Sequence, residues 1–265
     1  LNYFLLLLIA IITSAASAMV GLGGGLMLIP FIILIFGLPF KYIAGTMLFA
    51  MVPFTAVATI RNMRNGYVNF KMGLLMEIGS IAGVLIGANF TEIVPNLILK
   101  TFFLLIVAYL MFTLRIPIDS SYNYIAKGFN KINFVPPYIK CQSENTVHCS
   151  IPALILVGFI AGYFSGMLGI GGGFLKTPVL IVGLMLPAKV AVGTALFMIM
   201  ITALFGTIGH AILGHIDYPL AILIAIGMII GAYIGTGIFK KISEERIKTY
   251  IIVVMMIAAI LTFFR

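Results

Sequence analysis

Two short glycine runs carry the first chemical signal in this sequence. Gly21-Leu22-Gly23-Gly24-Gly25 and Gly169-Ile170-Gly171-Gly172-Gly173 have few side chains to screen the backbone, so their N–H groups lie open to a ligand. If a helix follows each run, its first N–H groups and its positive dipole end point into the same space, which makes an anion cradle. Close helix packing through small residues is the other use of such runs. Lys176, three residues beyond the second run, would add a fixed positive charge where the first run has Leu28. Thr46 and Thr194 each follow a glycine and would offer hydroxyls to an oxyanion, or cap a helix. Glu77 lies inside an apolar stretch, where a carboxylate is costly and is a candidate for proton coupling or for pairing with a base. His210 and His215 are expected at the outer membrane interface. The expected substrate-binding set is thus Gly21, Gly23, Gly24, Gly25, Thr46, Gly169, Gly171, Gly172, Gly173, Lys176 and Thr194.

Other chemistries fit poorly. A P-loop ends in Gly-Lys-Ser/Thr, and a dinucleotide fingerprint has a third glycine where this chain has Leu26 and Phe174. Cys141 and Cys149, with His148 beside the second, make a poor zinc pattern. Two free thiols in a reducing cytoplasm are the plainer reading; an oxidising side would permit a disulfide. No convergent Ser/His/Asp or His/Glu cluster marks an enzyme. Neither a catalytic residue, a metal site nor a cofactor is expected.

The elements that position these residues are membrane helices. Of 265 residues, 62% are hydrophobic and 9% charged, and the mean hydropathy is +1.22. A soluble globule carries about 25% charged residues, so lipid is the expected solvent. Apolar stretches run over 2–20, 26–38, 43–60, 72–90 and 98–114, then over 151–168, 174–187, 190–212, 219–238 and 249–264. Glycines, Pro30 and Pro178 divide the first two stretches of each group, so each pair reads as two spans, a broken helix or a re-entrant hairpin. Ala16-Ser17-Ala18 resembles a signal-peptide cleavage site, but Ser17 has an internal counterpart, which argues against removal. Glycines spaced by four (Gly79, Gly83, Gly87; Gly158, Gly162, Gly166; Gly227, Gly231, Gly235) predict close helix packing.

Displacing the sequence by 148 positions superimposes its halves. The glycine runs coincide, as do Pro30 with Pro178, Pro39 with Pro187, Gly45-Thr46 with Gly193-Thr194, and Gly79, Gly83, Gly87 with Gly227, Gly231, Gly235. The expected organisation is a first membrane repeat over 1–115, a polar, irregular linker over 116–150, and a second repeat over 151–265. With the amino terminus outside and the repeats inverted, cytoplasmic loops hold Arg61, Arg64, Lys71, Arg115, Lys127, Lys131, Lys140, Lys189, Lys240, Lys241, Arg246 and Lys248. Only Lys41, Lys100 and Arg265 lie outside. A parallel arrangement splits the same charges almost evenly, so the positive-inside rule selects inverted repeats. The fold class expected is an all-α polytopic membrane protein with two inverted-topology repeats and eight to ten membrane segments. The net charge of +9 then reports threading and attraction to anionic lipid, with no nucleic-acid footprint.

The doubled Gly-x-Gly-Gly-Gly, the proline five positions later (Pro30, Pro178) and the following Gly-Thr pairs (Gly45-Thr46, Gly193-Thr194) resemble the sulfite exporter TauE/SafE family, also called the toluene sulfonate uptake permease family. The likeness covers nearly the whole chain outside the linker, which is longer than the family's short central loop. It implies an integral membrane carrier of sulfite, sulfonates or related sulfur-containing anions, with both glycine runs at the functional site. The expected function is secondary transport of such an oxyanion by alternating access, with the bilayer and a small anion as partners and proton coupling through Glu77. An anion channel and a carrier of a non-sulfur carboxylate are the alternatives.

Overall fold

The computed structural model describes residues 2–115, 136, 138–141 and 147–240. The first half folds as α1 (Asn2–Val20), α2 (Gly25–Phe36), α3 (Phe40–Arg64), α4 (Phe70–Ile93) and α5 (Asn96–Arg115). The second half repeats the order as α6 (Ile151–Leu168), α7 (Gly173–Pro178, continued by a π turn over Val179–Gly183), α8 (Ala188–Ile212) and α9 (Tyr218–Phe239). Six of these helices are long and apolar enough to cross a bilayer: α1, α3, α4, α6, α8 and α9. Their outward residues, such as Leu74 and Ile78 on α4 or Ile222 and Ile226 on α9, are large, apolar and exposed, as lipid-facing side chains must be. The tenth apolar stretch, 249–264, lies outside the described residues. Between the halves, β1 (Tyr138–Cys141) and β2 (Val147–Ser150) pair antiparallel, Cys141 opposite Val147 and Cys149 opposite Ile139. The linker is therefore not wholly irregular: two four-residue segments satisfy each other's backbone.

The glycine breaks shorten the helices that follow them. With 12 residues, α2 reaches about 18 Å, well under the roughly 30 Å of hydrocarbon. Tyr3 at the start of α1 packs on Phe36 at the end of α2, with ring centroids 5.6 Å apart. Of the three arrangements open to the sequence, the first pair is therefore a re-entrant hairpin with a long and a half-length arm. In the second half, Leu154 and Val157 of α6 share a buried cluster with Val179, Leu180 and Ile181 beyond α7.

The direction of the repeats is read from two reciprocal contacts. A Cβ on Gly45, near the start of α3, would meet His210 and His215 at the end of α8. A Cβ on Gly193, near the start of α8, would meet Tyr67 just past the end of α3. Equivalent helices α3 and α8 thus run antiparallel, which makes the two halves inverted repeats about an axis lying in the membrane. The remaining helices exchange partners across this axis. Gly79, Gly83 and Gly87 of α4 lie against the backbone at Ile155, Phe159 and Tyr163 of α6, while Gly158, Gly162 and Gly166 of α6 lie against Met76, Ser80 and Val84 of α4. The same seam recurs between α9 and α1, where Gly227, Gly231 and Gly235 meet Leu7, Ile11 and Ala15. Lipid offers no hydrophobic drive for helix association, so this interlocking of glycines with backbone supplies the dispersion and close approach that hold the bundle together.

Candidate functional site

At the centre the two glycine breaks cross. A Cβ on Gly25 would overlap the carbonyl oxygen of Gly169, and one on Gly173 would overlap that of Gly21. This reciprocity places the breaks back to back on the pseudo-two-fold axis, where Met51 of α3 and Ile199 of α8 both approach Gly23. Met51 and Ile199 are themselves equivalent positions. Gly24 and Gly172, which precede α2 and α7, have φ of 82° and 75°, a left-handed region that only glycine occupies freely. All ten residues of the two runs are buried. Among the described residues, the backbone N–H groups of Gly23, Gly24, Gly25 and Leu26 find no acceptor, nor do those of Gly171 and Gly172. Each break therefore leaves a short row of unpaired donors at a helix start, the arrangement that suits an anion.

Against one break only, the frame holds charge. Lys176 of α7, Glu77 of α4 and Thr202 of α8 form a closed ring. Lys176 Nζ donates to Glu77 Oε1 and, at 2.6 Å, to Thr202 Oγ1, while the Thr202 hydroxyl donates to Glu77 Oε2 at 2.7 Å. All three residues are buried, and the Lys176 stem runs beside Gly172. Around the other break the equivalent positions are Leu28, Ala225 and Phe54, all apolar. There the space beside Gly24 is taken by Met228 and Phe54. A buried ion pair is a weak source of stability, because taking both charges out of water costs several kcal/mol per ion. Finding one against a single break of an otherwise duplicated core marks a position where apolar packing has a working alternative and is not used.

The remaining expected residues lie elsewhere. Thr46 Oγ1 accepts the backbone N–H of Asp217 at 3.0 Å, and Thr194 Oγ1 accepts that of Asn69 at 2.9 Å. These are equivalent contacts at opposite ends of the molecule. Each threonine braces the start of a helix in the other half, since Asp217 and Asn69 are the caps of α9 and α4. Neither touches the ion pair. His210 and His215 are both buried, at the end where α8 turns into α9.

Sequence reading missed Thr202, whose hydroxyl completes the ring. Its signal was available: at position 54 the other half has phenylalanine, a polar-for-apolar exchange at matched sites like those at Lys176 and Glu77. It also missed four buried hydroxyls without a hydrogen-bond partner, Ser17, Thr59, Ser165 and Thr207. These form two equivalent pairs, Ser17 with Ser165 and Thr59 with Thr207, so the duplication preserves them.

Inverted repeats, half-length helices broken at glycine and a polar cluster where the breaks cross define a multi-pass integral membrane transporter. A family model described as sulfite exporter TauE/SafE matches residues 6–262, and the chain belongs to that family. It is 25% identical over 259 residues to the probable membrane transporter protein YunE of Bacillus subtilis, covering 93% of this chain and 92% of that protein. It is 26% identical to the probable membrane transporter protein YdhB of Bacillus subtilis, covering 98% of this chain and all of that protein. A probable membrane transporter protein of Methanocaldococcus jannaschii is 35% identical over 260 residues, covering 92% of this chain and 89% of its own. No solved structure matches the chain.

Proposed function

We propose that the chain is a secondary transporter of a small oxyanion, sulfite or an organosulfonate first among them, that moves its substrate together with a proton by alternating access. The observation that carries the reading is the buried Lys176–Glu77–Thr202 ring set against the glycine break of one half alone. An entering anion competes with Glu77 for Lys176. Were Glu77 to stay ionised, the site would bury a net negative charge, which is expensive in a low-dielectric interior. A proton on Glu77 removes that cost: Lys176 then faces the anion, the neutral carboxyl keeps Thr202 as a partner, and the site stays electroneutral. Free N–H groups of the glycine breaks supply the remaining donors. With both ions gone, Lys176 and Glu77 re-form their pair, so the empty carrier can return without a stranded charge. Rocking of the two inverted halves about the crossed breaks would expose the site to each side in turn.

A backbone cradle binds sulfite, sulfonate and carboxylate by the same hydrogen bonds, so the substrate is best found by a panel. Purified protein is melted with sulfite, sulfate, thiosulfate, an alkyl sulfonate and acetate. The expected result is stabilisation by sulfur oxyanions that grows as the pH is lowered and disappears in Lys176→Met. Stabilisation by none of them, alongside stabilisation by a cation, would overturn the anion reading. Glu77→Gln is expected to keep binding but to lose its pH dependence; an unchanged pH profile would remove Glu77 from the coupling role.

A further inference from the structure

The end of the molecule where α8 turns into α9 holds a second polar row, separate from the central ring. His210 Nε2 lies 2.8 Å from the carbonyl oxygen of Gly166 on α6. His210 Nδ1 lies 3.2 Å from His215 Nδ1, and His215 Nε2 lies 2.5 Å from Glu92 Oε1 at the end of α4. Both imidazoles are buried, whereas the Glu92 side chain is 44% exposed, so the row runs from solvent into the bundle.

Counting protons along this row gives an odd result. It contains three contacts between electronegative atoms: carbonyl to nitrogen, nitrogen to nitrogen, and nitrogen to carboxylate. Each needs one hydrogen to be attractive. Two neutral imidazoles and an ionised carboxylate bring only two. With two, some contact must set lone pair against lone pair, whichever tautomers are chosen. The Gly166 carbonyl must receive a hydrogen, which leaves His210 Nδ1 bare toward His215. If His215 then turns its own hydrogen to His210, it shows a bare nitrogen to the carboxylate.

We propose that His210, His215 and Glu92 form a proton-binding site that holds one extra, exchangeable proton, taken up from the aqueous face at Glu92, and that this proton closes one end of the carrier. The extra proton sits on the imidazole pair, and with Glu92 ionised the row as a whole is then neutral. It ties together α4, α6, α8 and the turn before α9, and that turn also presses the His215 carbonyl against Gly45 of α3. The charged and titratable groups around it are Lys41 of α3, 3.2 Å from Glu92, and Tyr42 of α3, whose ring centroid is 6.0 Å from that of His215. Asp217 in the turn is engaged with the N–H of Leu220, and Tyr163 of α6 packs on Phe90 and Phe164. Lys41 holds Glu92 in place when the proton leaves. Loss of the proton puts one contact into repulsion and releases the turn. Among the described residues the opposite end has no such row, since the equivalents of His210, His215 and Glu92 are Asn62, Tyr67 and Lys240, and the Asn62 side-chain amide donates to the Ala58 carbonyl of its own helix.

The proton site stands on geometry alone; its part in closing the carrier rests on the transport reading. Nitrogen-15 NMR of histidine-labelled full-length protein tests the first. The expected spectrum near neutral pH has His210 and His215 sharing one imidazolium charge. Two neutral rings over the range where the bundle is intact would overturn the site, whatever is found about transport. Sulfite flux into proteoliposomes tests the second, with His210→Asn and His215→Tyr, the residues the other half carries. Flux in both folded variants should lose its dependence on the pH of one side only. An unchanged dependence would overturn the closing role while leaving the proton site to the NMR result.

Discussion

Replacing the Lys176–Glu77–Thr202 ring by the residues of the apolar half separates what the ring does for stability from what it does for transport. Glu77→Ala alone leaves a buried ammonium with only the Thr202 hydroxyl, and Lys176→Leu alone leaves a buried carboxylate with the same partner. Removing one member of a buried pair costs about 3–5 kcal/mol. At roughly 2–4 °C per kcal/mol for chains of this size, each single variant is expected to melt about 6–20 °C lower. The triple variant Lys176→Leu, Glu77→Ala, Thr202→Phe installs the set found at Leu28, Ala225 and Phe54. Substituting a buried pair by well-packed apolar groups is neutral or stabilising by about 1–4 kcal/mol, so the triple variant should melt at or above the parent temperature. The assay is thermal unfolding of detergent-purified protein beside sulfite flux in proteoliposomes. Both single variants and the triple variant should lose flux, the triple while fully stable. Parent-level flux in the triple variant would refute the functional assignment. A triple variant as unstable as the singles would refute the claim that the apolar set fits this half.

Three further outcomes follow from the packing. Gly25→Ala and Gly173→Ala each drive a methyl into a carbonyl of the opposite break, and both should cost at least about 1–3 kcal/mol in unfolding and abolish flux. Gly83→Val on α4 and Gly231→Val on α9 strike equivalent seams, so both should lower detergent-resistant folding by a similar amount, read by fluorescence-detected size exclusion. Thr46→Val and Thr194→Val each orphan a helix-start N–H and should cost about 1–3 kcal/mol apiece, with the apparent KM for sulfite unchanged. A raised KM in either would return that hydroxyl to the substrate site.

The inverted architecture and the glycine breaks were legible in the sequence because duplication writes each of them twice, and because loop charges alternate with the threading. Partnerships were not legible. Lys176 and Glu77 are 99 positions apart in different halves, and only the exchange of helices across the axis, α4 onto α6 and α9 onto α1, brings them together. The sequence marks Glu77 as costly in lipid and Lys176 as a fixed charge beside a glycine run, but neither says which charge answers which. Thr46 and Thr194 show the converse. Their matched spacing was real, yet what it encodes is a brace between a helix and the next half's cap, a role that spacing alone cannot tell from ligand binding. Half-length α2 was ambiguous for a simpler reason: twelve apolar residues are too few for a span, and only the packing of Tyr3 on Phe36 settles which way the chain turns.

The exchange of α4 and α9 between the halves also bears on how the chain is made and where it came from. When the first half leaves the ribosome, the glycine face of α4 has no mate, because α6 has not yet been synthesised. The first half must wait in the bilayer with that seam bare, and α1 waits in the same way for α9. Neither half is a finished object, so the two expressed as separate polypeptides should assemble on each other and neither should accumulate alone. An ancestor made of one such unit would have needed a second copy inserted upside down to fill both seams. The present chain carries both units in one polypeptide, where they need not be identical, and so a lysine and a carboxylate can stand beside one break while Leu28 and Ala225 stand beside the other.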